Sequence, residues 1–232
     1  MKLKFIKDWF SDWRVYLAEF LGTFVVVLTI CGVTLSNIFY GDVGILGIAF
    51  ASGLVYAAMM FATVHLSGGH LNPAITLALW LTQKIKGATA FFYVFSQLLA
   101  SFAAAGIIIL IFGKNALEFS LGGPVVSSGV SLENALIVEA TLTVILVFVY
   151  FATLVDRRGP VSFGPLVVGF VYLVSGIFAI SLSGASLNPA RALGPAVISR
   201  SFDTLMIWIV GPLAGSLFGI VYEFVFLRKG KK

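Results

Sequence analysis

The chain has 232 residues, of which 59% are hydrophobic and 11% are charged, and its formal net charge is +5. A soluble domain averages about 25% charged residues, so this composition could not cover a water-exposed surface and excludes a soluble enzyme. Six membrane helices of roughly 20 apolar residues would use about 120 residues and leave about 110 for connections and termini. The composition therefore predicts one polytopic membrane domain.

Long apolar runs predict six transmembrane spans and leave two shorter apolar stretches between them. The predicted spans are residues 14–35, 44–64, 88–112, 131–154, 163–182 and 204–227. The stretches 72–82 and 188–198 would each extend roughly 15 Å as helices, which is half of a hydrocarbon core of about 30 Å. Each is therefore predicted to be a re-entrant half-helix in the connection between two full spans.

The distribution of positive charge predicts the orientation in the membrane. Of the 15 Lys and Arg residues, 12 lie in the terminal segments and in the second and fourth connections. The other connections hold Lys114 and Arg200, and Arg191 lies within a half-helix. Because cytoplasmic connections are rich in Lys and Arg, both termini are predicted to be cytoplasmic, with an interfacial segment 1–13 and a basic tail 228–232. The net charge is thus a topology signal and requires no nucleic-acid partner.

A duplicated motif indicates an internal repeat. The runs SGGHLNPA at residues 67–74 and SGASLNPA at residues 183–190 match at six of eight positions, with an offset of 116 residues. The pattern Glu-x-x-x-Thr begins at Glu19 and again at Glu139, with an offset of 120 residues. Two signals at nearly the same period indicate a duplicated unit of three spans and one half-helix.

The odd number of spans in each unit predicts how the two copies are oriented. The copies cover about 14–112 and 131–227 within a single domain, 14–227. Three crossings bring the second copy into the membrane upside down, an inverted-topology arrangement that places functional elements near the midplane. The predicted fold class is an all-α membrane protein with six transmembrane helices and two re-entrant half-helices in an inverted repeat.

Two Asn-Pro-Ala triplets are predicted to begin the half-helices: Asn72, Pro73 and Ala74 in the first copy, and Asn188, Pro189 and Ala190 in the second. Asn is among the best N-caps, and Pro is favoured at the first helical position. If each Asn oxygen caps its helix, the NH₂ group keeps two donors that point toward the midplane. Two opposed helix N-termini of roughly +0.5 charge each would welcome a neutral molecule with an acceptor oxygen and repel a cation.

The paired motifs and the repeated Glu-x-x-x-Thr resemble the aquaporin (major intrinsic protein) family, and the resemblance extends over about residues 14–227. It implies a passive channel for water and for small uncharged solutes of the glycerol, urea or metalloid-acid type, which excludes protons and ions. It also implies one pore per subunit, usually a homotetramer, in the lipid bilayer of the cell membrane. Neither enzyme activity nor a cofactor is expected.

The resemblance places the family's outer selectivity constriction at four positions: Ser52, Gly176, Ala185 and Arg191. A charge such as Arg191 within a membrane helix is costly and is a functional candidate by default. Three small residues predict a wider and more polar constriction than water alone requires. Phe50 and Phe178 lie about 200° around their helices from Ser52 and Gly176 and are not expected to reach the same face. Trp208 in the last span instead favours the alternative, a strictly water-selective channel.

Four further ionisable residues have roles implied by the resemblance. Glu19 and Glu139 would accept hydrogen bonds from the backbone of the re-entrant loops and brace them, the alternative being a proton relay. His65 and His70 match histidines in the family's first re-entrant loop, at the cytoplasmic mouth. A pH-dependent gate is the alternative to a hydrogen-bonded loop histidine. With no nearby cysteine or third ligand, the histidines are not expected to bind a metal.

Other classes of membrane protein fit parts of the pattern. A secondary transporter also uses inverted repeats and broken helices, but is expected to carry paired ionisable groups at its substrate site. An ion channel would need a ring of carboxylates or a repeated carbonyl filter motif, and neither occurs in the sequence. A structural membrane protein on the same fold would not need Arg191 or the two Asn residues.

Overall fold

The computed structural model describes residues 13–227, and every regular element within that range is helical. In chain order these are α1 (Trp13–Tyr40), α2 (Gly44–Ser67), α3 (Pro73–Leu81), α4 (Gly87–Phe112), α5 (Leu132–Tyr150), α6 (Gly164–Ser183), α7 (Pro189–Ser199), α8 (Leu205–Ser216) and α9 (Phe218–Tyr222). Shorter 3₁₀ or π segments cover Lys114–Gly122, Phe151–Val155, Val161–Phe163 and Glu223–Leu227. The predicted segment 1–13, apart from Trp13, and the tail 228–232 lie outside the described residues.

Six helical stretches within residues 13–227 are long and apolar enough to cross a membrane. They are Trp13–Tyr40, Gly44–Ser67, Gly87–Phe112, Leu132–Val155, Val161–Ser183 and Leu205–Leu227. The helices α3 and α7 have 9 and 11 residues, too few to span a bilayer that requires about 20. The predicted architecture of six spans and two half-helices is confirmed, and the chain is a multi-pass membrane protein.

The first membrane helix runs five residues beyond its predicted end and reaches Tyr40. The Asn37 carbonyl accepts a hydrogen bond from Gly41 N at 2.9 Å, and the Asn37 side chain accepts one from Gly44 N at 2.7 Å. Gly41 has a φ of 77°, a conformation that suits glycine and ends the helix. Asn37 therefore lies inside the last turn of α1 and connects this helix to the start of α2.

Helices α2 and α6 pack with their backbones almost in contact. A Cβ atom built on Gly53 would lie 2.7 Å from the carbonyl oxygen of Gly169, and one built on Gly169 would lie 2.6 Å from that of Gly53. Small residues permit this close approach between membrane helices. The two glycines thus place the middle of α2 directly beside the middle of α6.

The two half-helices lie inside the bundle and contact the same two membrane helices, α4 and α8. Their capping residues Asn72 and Asn188 are fully buried. Buried backbone at the start of a helix needs hydrogen-bond partners, because its first N–H groups have none within the helix. The side chains that supply these partners define the candidate site.

Candidate functional site

Both half-helices begin with a capping asparagine, as predicted. Asn72 Oδ1 accepts a hydrogen bond from Ala74 N at 2.8 Å, and Asn188 Oδ1 accepts one from Ala190 N at 2.9 Å. Both Asn residues have extended backbone, and the following proline takes the first helical position. This geometry is that of an N-cap followed by a proline, which lacks the N–H that would otherwise be unsatisfied.

The first re-entrant loop is held by the buried carboxylate of Glu19. Its Oε1 accepts hydrogen bonds from Ser67 Oγ at 2.6 Å and His70 N at 2.9 Å. Its Oε2 accepts from Leu71 N at 2.7 Å and from Gln97 Nε2 at 2.8 Å. Leu71 has a φ of 49°, a left-handed conformation that is uncommon for a residue other than glycine. Such a conformation persists where the surroundings over-determine it. Here the bonds from the backbone N–H groups of His70 and Leu71 to the Glu19 carboxylate hold the loop in this conformation.

The second re-entrant loop repeats this arrangement around Glu139. Oε1 accepts from Ser183 Oγ at 2.7 Å and Ser186 N at 2.9 Å, and Oε2 accepts from Leu187 N at 2.7 Å. Leu187 also has a left-handed φ, of 54°. The inverted repeat is therefore preserved at the level of individual hydrogen bonds, except that the fourth donor to Glu19, from Gln97, has no counterpart at Glu139 among the described residues.

The two repeats are tied to each other through the asparagine amides. Asn72 Nδ2 donates to the carbonyl of Leu187 at 2.8 Å, and Asn188 Nδ2 donates to the carbonyl of Leu71 at 2.9 Å. Each half-helix thus begins against the loop of the other repeat. This contact brings the two helix N-termini to one point inside the bundle.

The second donor of each amide also has a protein acceptor. Asn72 Nδ2 donates to Tyr172 Oη at 2.9 Å, and Asn188 Nδ2 donates to Tyr56 Oη at 2.6 Å. As predicted, these donors point away from their own helices. Each amide donates once to a loop carbonyl and once to a tyrosine hydroxyl, and the sequence did not predict the tyrosine acceptors.

Arg191 lies in the first turn of α7, two residues beyond Pro189. Its side chain is almost fully buried, and Nη1 donates to the carbonyl of Gly184 at 2.9 Å. Its Nε is buried and has no hydrogen-bond partner among residues 13–227. A buried guanidinium with an unused N–H can donate to an acceptor that enters from outside.

The three small constriction candidates lie in different surroundings. Ser52 is buried on α2, and its hydroxyl donates to Ile48 O within the same helix at 2.8 Å. A Cβ atom built on Gly176 would lie 2.9 Å from Ala49 Cβ, so Gly176 packs against α2. Ala185 is partly exposed in the loop before α7, with a φ of 46°.

The neighbouring aromatic side chains do not share these surroundings. Phe50 and Phe178 are 51% and 62% exposed and face away from the interior, as predicted. Trp208 is buried, and its Nε1 donates to the carbonyl of Ser183 at 2.7 Å. Trp208 therefore stabilises the second re-entrant loop through a hydrogen bond to the backbone at its start.

Comparison with known protein families identifies the fold. The family model described as Major intrinsic protein matches residues 6–222. The chain belongs to this family. Major intrinsic proteins are membrane channels, so the chain is a channel rather than an enzyme.

Individual relatives agree with this assignment. The chain is 37% identical over 221 residues to "Aquaporin-4" of Notomys alexis, covering 92% of this chain and 67% of that protein. It is 38% identical over 218 residues to "Lens fiber major intrinsic protein" of Lithobates pipiens, covering 93% of this chain and 82% of that protein. The solved structure of the aquaglyceroporin from Plasmodium falciparum superposes with a TM-score of 0.81 at 25% identity, covering 93% and 97% of the two chains.

In this major intrinsic protein the two candidate histidines do not form a pair. His70 is buried, with Nδ1 at 3.1 Å from Thr76 Oγ1 and its ring edge-on to Tyr93 at a centroid distance of 4.9 Å. His65 is exposed in the last turn of α2. The environment of His70 is that of a hydrogen-bonded loop histidine.

Sequence reasoning missed three side chains that complete the site. Gln97 donates to both Glu19 and Thr76, at 2.8 and 3.1 Å. A lone amide in the middle of an apolar span is a signal that could have found it, since polar groups within membranes are usually paired or functional. The other two, Tyr56 and Tyr172, lie one helical turn from Ser52 and Gly176 and could have been found by following the same helix faces.

Proposed function

We propose that the chain is a passive channel that conducts water and small uncharged solutes and excludes protons and ions. The observation that carries the proposal is the meeting of the two capped half-helices, with Asn72 and Asn188 each bonded to the loop of the other repeat. Two helix N-termini at one buried point create a region that favours neutral oxygen acceptors over cations. The names of the relatives, an aquaporin and an aquaglyceroporin, support the same class of permeating molecule.

Ion exclusion is assigned to Arg191 together with the half-helix N-termini. Arg191 is a buried cation whose Nε has no hydrogen-bond partner in the part of the chain that the structure describes. In a medium of low dielectric constant a fixed positive charge raises the free energy of a nearby cation far more than it does in water. The unused N–H can meanwhile donate to the oxygen of a neutral solute, so the same residue selects for charge and binds the permeating molecule.

The loops are proposed to be braced by Glu19 and Glu139, which argues against a proton relay or a transporter. The two carboxylates accept four and three hydrogen bonds from the protein, including the backbone N–H groups of Leu71 and Leu187. A carboxylate fully engaged in this way has little capacity to carry a proton or to bind a substrate. The secondary-transporter alternative therefore lacks its expected pair of ionisable groups.

The solute range rests on the four constriction residues. A constriction formed by Ser52, Gly176, Ala185 and Arg191 would contain little side-chain bulk, which favours solutes of the glycerol, urea or metalloid-acid type in addition to water. A strictly water-selective channel is the second candidate. The observation that favours it is the close packing of Gly176 against Ala49, because helices that pack this closely leave less room between them for a solute larger than water.

The assembly and orientation are proposed from the family and from the charge distribution. Residues 14–227 form one channel domain with repeats at about 14–112 and 131–227. The cytoplasmic face carries both termini, and four subunits form a homotetramer in the cell membrane. An apolar groove between α5 and α6, lined by Ile145, Phe170 and Val174 among others, offers a face for a neighbouring subunit.

Stopped-flow light scattering on proteoliposomes tests the proposal. The purified chain should accelerate osmotic shrinkage above that of empty vesicles, and gradients of glycerol, urea and a neutral metalloid acid should dissipate faster as well. Fast water flux with no flux of any of the three solutes would favour the strictly water-selective candidate. Water flux no faster than in empty vesicles would contradict the channel proposal itself.

A further inference from the structure

The midplane of the protein contains a pair of aromatic rings whose positions follow from the inverted repeat. Tyr56 lies at the middle of α2 (Gly44–Ser67), and Tyr172 lies at the middle of the span Val161–Ser183. Each is four residues, or about one helical turn, from a constriction candidate on the same helix face. The two tyrosines therefore continue the faces of Ser52 and Gly176 toward the centre of the membrane.

The two rings fill the space between α2 and α6. They stack with a centroid separation of 3.4 Å and an interplanar angle of 4°, and the side chains are 1% and 4% exposed. This separation is the van der Waals contact distance of two carbon surfaces, so no molecule passes between the rings. Gly53 and Gly169 lie three residues before Tyr56 and Tyr172, and their backbone contact holds the two helices at this spacing.

The tyrosine hydroxyls are bonded crosswise to the two capping asparagines. Tyr56, from the first repeat, accepts from Asn188 of the second, and Tyr172 accepts from Asn72 in the same way. The other donor of each amide already goes to a loop carbonyl. An amide has only two donors, so each hydroxyl occupies the one place at which a passing molecule could bind that asparagine.

We propose that the Tyr56–Tyr172 pair is the main barrier to permeation and further selects among the solutes that the outer constriction admits. A molecule crosses the midplane when its oxygen replaces the two tyrosine hydroxyls as the acceptor of the Asn72 and Asn188 amide donors. The two stacked rings must move apart for this to happen. The barrier thus favours small molecules with strong acceptor oxygens. The small residues of the outer constriction determine only which molecules enter the channel. The inference rests on the proposed channel function and locates the residues that limit the flux.

The test compares wild type with two double variants in proteoliposomes by stopped-flow light scattering. Tyr56→Val with Tyr172→Val removes rings and hydroxyls, and should raise the water permeability per channel about tenfold or more, as expected when two ordinary hydrogen bonds no longer need to be broken. Glycerol permeability should rise by a larger factor than water permeability, because the larger molecule requires more displacement. Tyr56→Phe with Tyr172→Phe keeps the rings and should give an increase between wild type and the Val pair.

A matched control separates this barrier from general effects of removing aromatic side chains. Phe50→Val with Phe178→Val changes the same two helices, six residues from each tyrosine, on outward-facing side chains, and should leave both permeabilities at the wild-type level. Size-exclusion profiles and circular dichroism establish that all variants are folded. The isosteric Phe pair keeps the core filled if the Val pair does not fold.

The outcomes distinguish the two proposals. Wild type and the Val pair conducting water equally well would overturn the tyrosine barrier and leave the channel function intact. No conduction by wild type or by any folded variant would overturn both. A Phe pair that conducts no faster than wild type would overturn the part assigned to the hydroxyl–asparagine bonds.

Discussion

The side-chain amide of Asn72 donates a hydrogen bond to the backbone carbonyl of Leu187 at 2.8 Å and so joins the half-helix of one repeat to the loop of the other. The reciprocal bond, from Asn188 to Leu71, measures 2.9 Å. Each asparagine therefore does two separate things: its oxygen caps a helix and its nitrogen holds the two repeats together. The two tasks can be separated by mutation.

The first prediction separates capping from the tie between repeats at Asn72. Asn72→Ser keeps a capping oxygen and loses the amide donors, whereas Asn72→Ala loses both. Because a cap contributes about 1 kcal/mol, the Ala variant should be less stable than the Ser variant by about that amount, and both should be less stable than wild type. Thermal unfolding in detergent measures the difference. Equal stabilities of the Ser and Ala variants would show that the cap contributes nothing here.

The second prediction concerns the bracing of the loops by buried carboxylates. Glu19→Gln and Glu139→Gln each place an NH₂ group against N–H donors that now face an oxygen, and hydrogen bonds to charged groups contribute about 1.5–3 kcal/mol each. Both variants should therefore lose thermal stability and water permeability together. Glu118→Gln, at an exposed position, is the control and should change neither. If either Glu→Gln variant instead lowered proton movement across the vesicle membrane and left stability and water flux unchanged, the result would favour a proton relay.

The third prediction concerns ion exclusion by Arg191. Arg191→Val removes the buried positive charge and its bond to Gly184 O, so the leak of protons or small cations through the channel should rise. A pH-sensitive dye trapped in proteoliposomes reports this leak directly. Arg200→Gln, an exposed arginine after α7, should leave it unchanged. A leak in Arg191→Val no greater than in wild type would refute the electrostatic role.

The fourth prediction is a pH dependence of stability directly after the membrane span Leu132–Val155. Asp156 accepts hydrogen bonds from Arg158 Nη2 at 2.6 Å and Nε at 2.8 Å, and Arg158 also donates to the carbonyl of Phe226 at 2.7 Å. The side-chain hydrogen bonds from Arg158 lower the pKa of the Asp156 carboxyl from its ordinary value of 3.8 to about 2.

Because the folded-state pKa lies below the unfolded one, the contribution of this pair is fully present above about pH 4 and is lost as the pH falls through about 2. Asp156→Asn should therefore lower the unfolding temperature at pH 6 but make little difference at pH 2. Unfolding temperatures of the two proteins measured across this range test the prediction. A constant difference between them at every pH would contradict it.

Local signals in the sequence were sufficient to predict most of the architecture. Apolar runs locate the six spans because burial in lipid demands about 20 apolar residues, whatever the neighbouring helices do. Asn followed by Pro predicts a helix start because capping involves only the next few residues. The end of α1 was misplaced because the polar Asn37 can lie in the last turn, where its side chain reaches Gly44 N.

Contacts between distant helices could not be predicted in the same way. Tyr56 and Tyr172 are 116 residues apart, and no local pattern states that their helix faces meet. Their meeting depends on the contact of Gly53 with Gly169, which is visible only once α2 and α6 are packed. For the same reason the tyrosine acceptors of the asparagine amides were not predicted, since their hydroxyls come from other elements.

Passive conduction of neutral molecules and exclusion of protons can be tested together in one measurement. Proteoliposomes containing a trapped pH-sensitive dye are subjected to an osmotic step and to a pH step, and volume and internal pH are followed in the same vesicles. We predict osmotic shrinkage faster than in empty vesicles and a proton leak no greater than in empty vesicles. Shrinkage at the rate of empty vesicles would contradict passive conduction, and a proton leak that rises in proportion to the amount of protein would contradict proton exclusion.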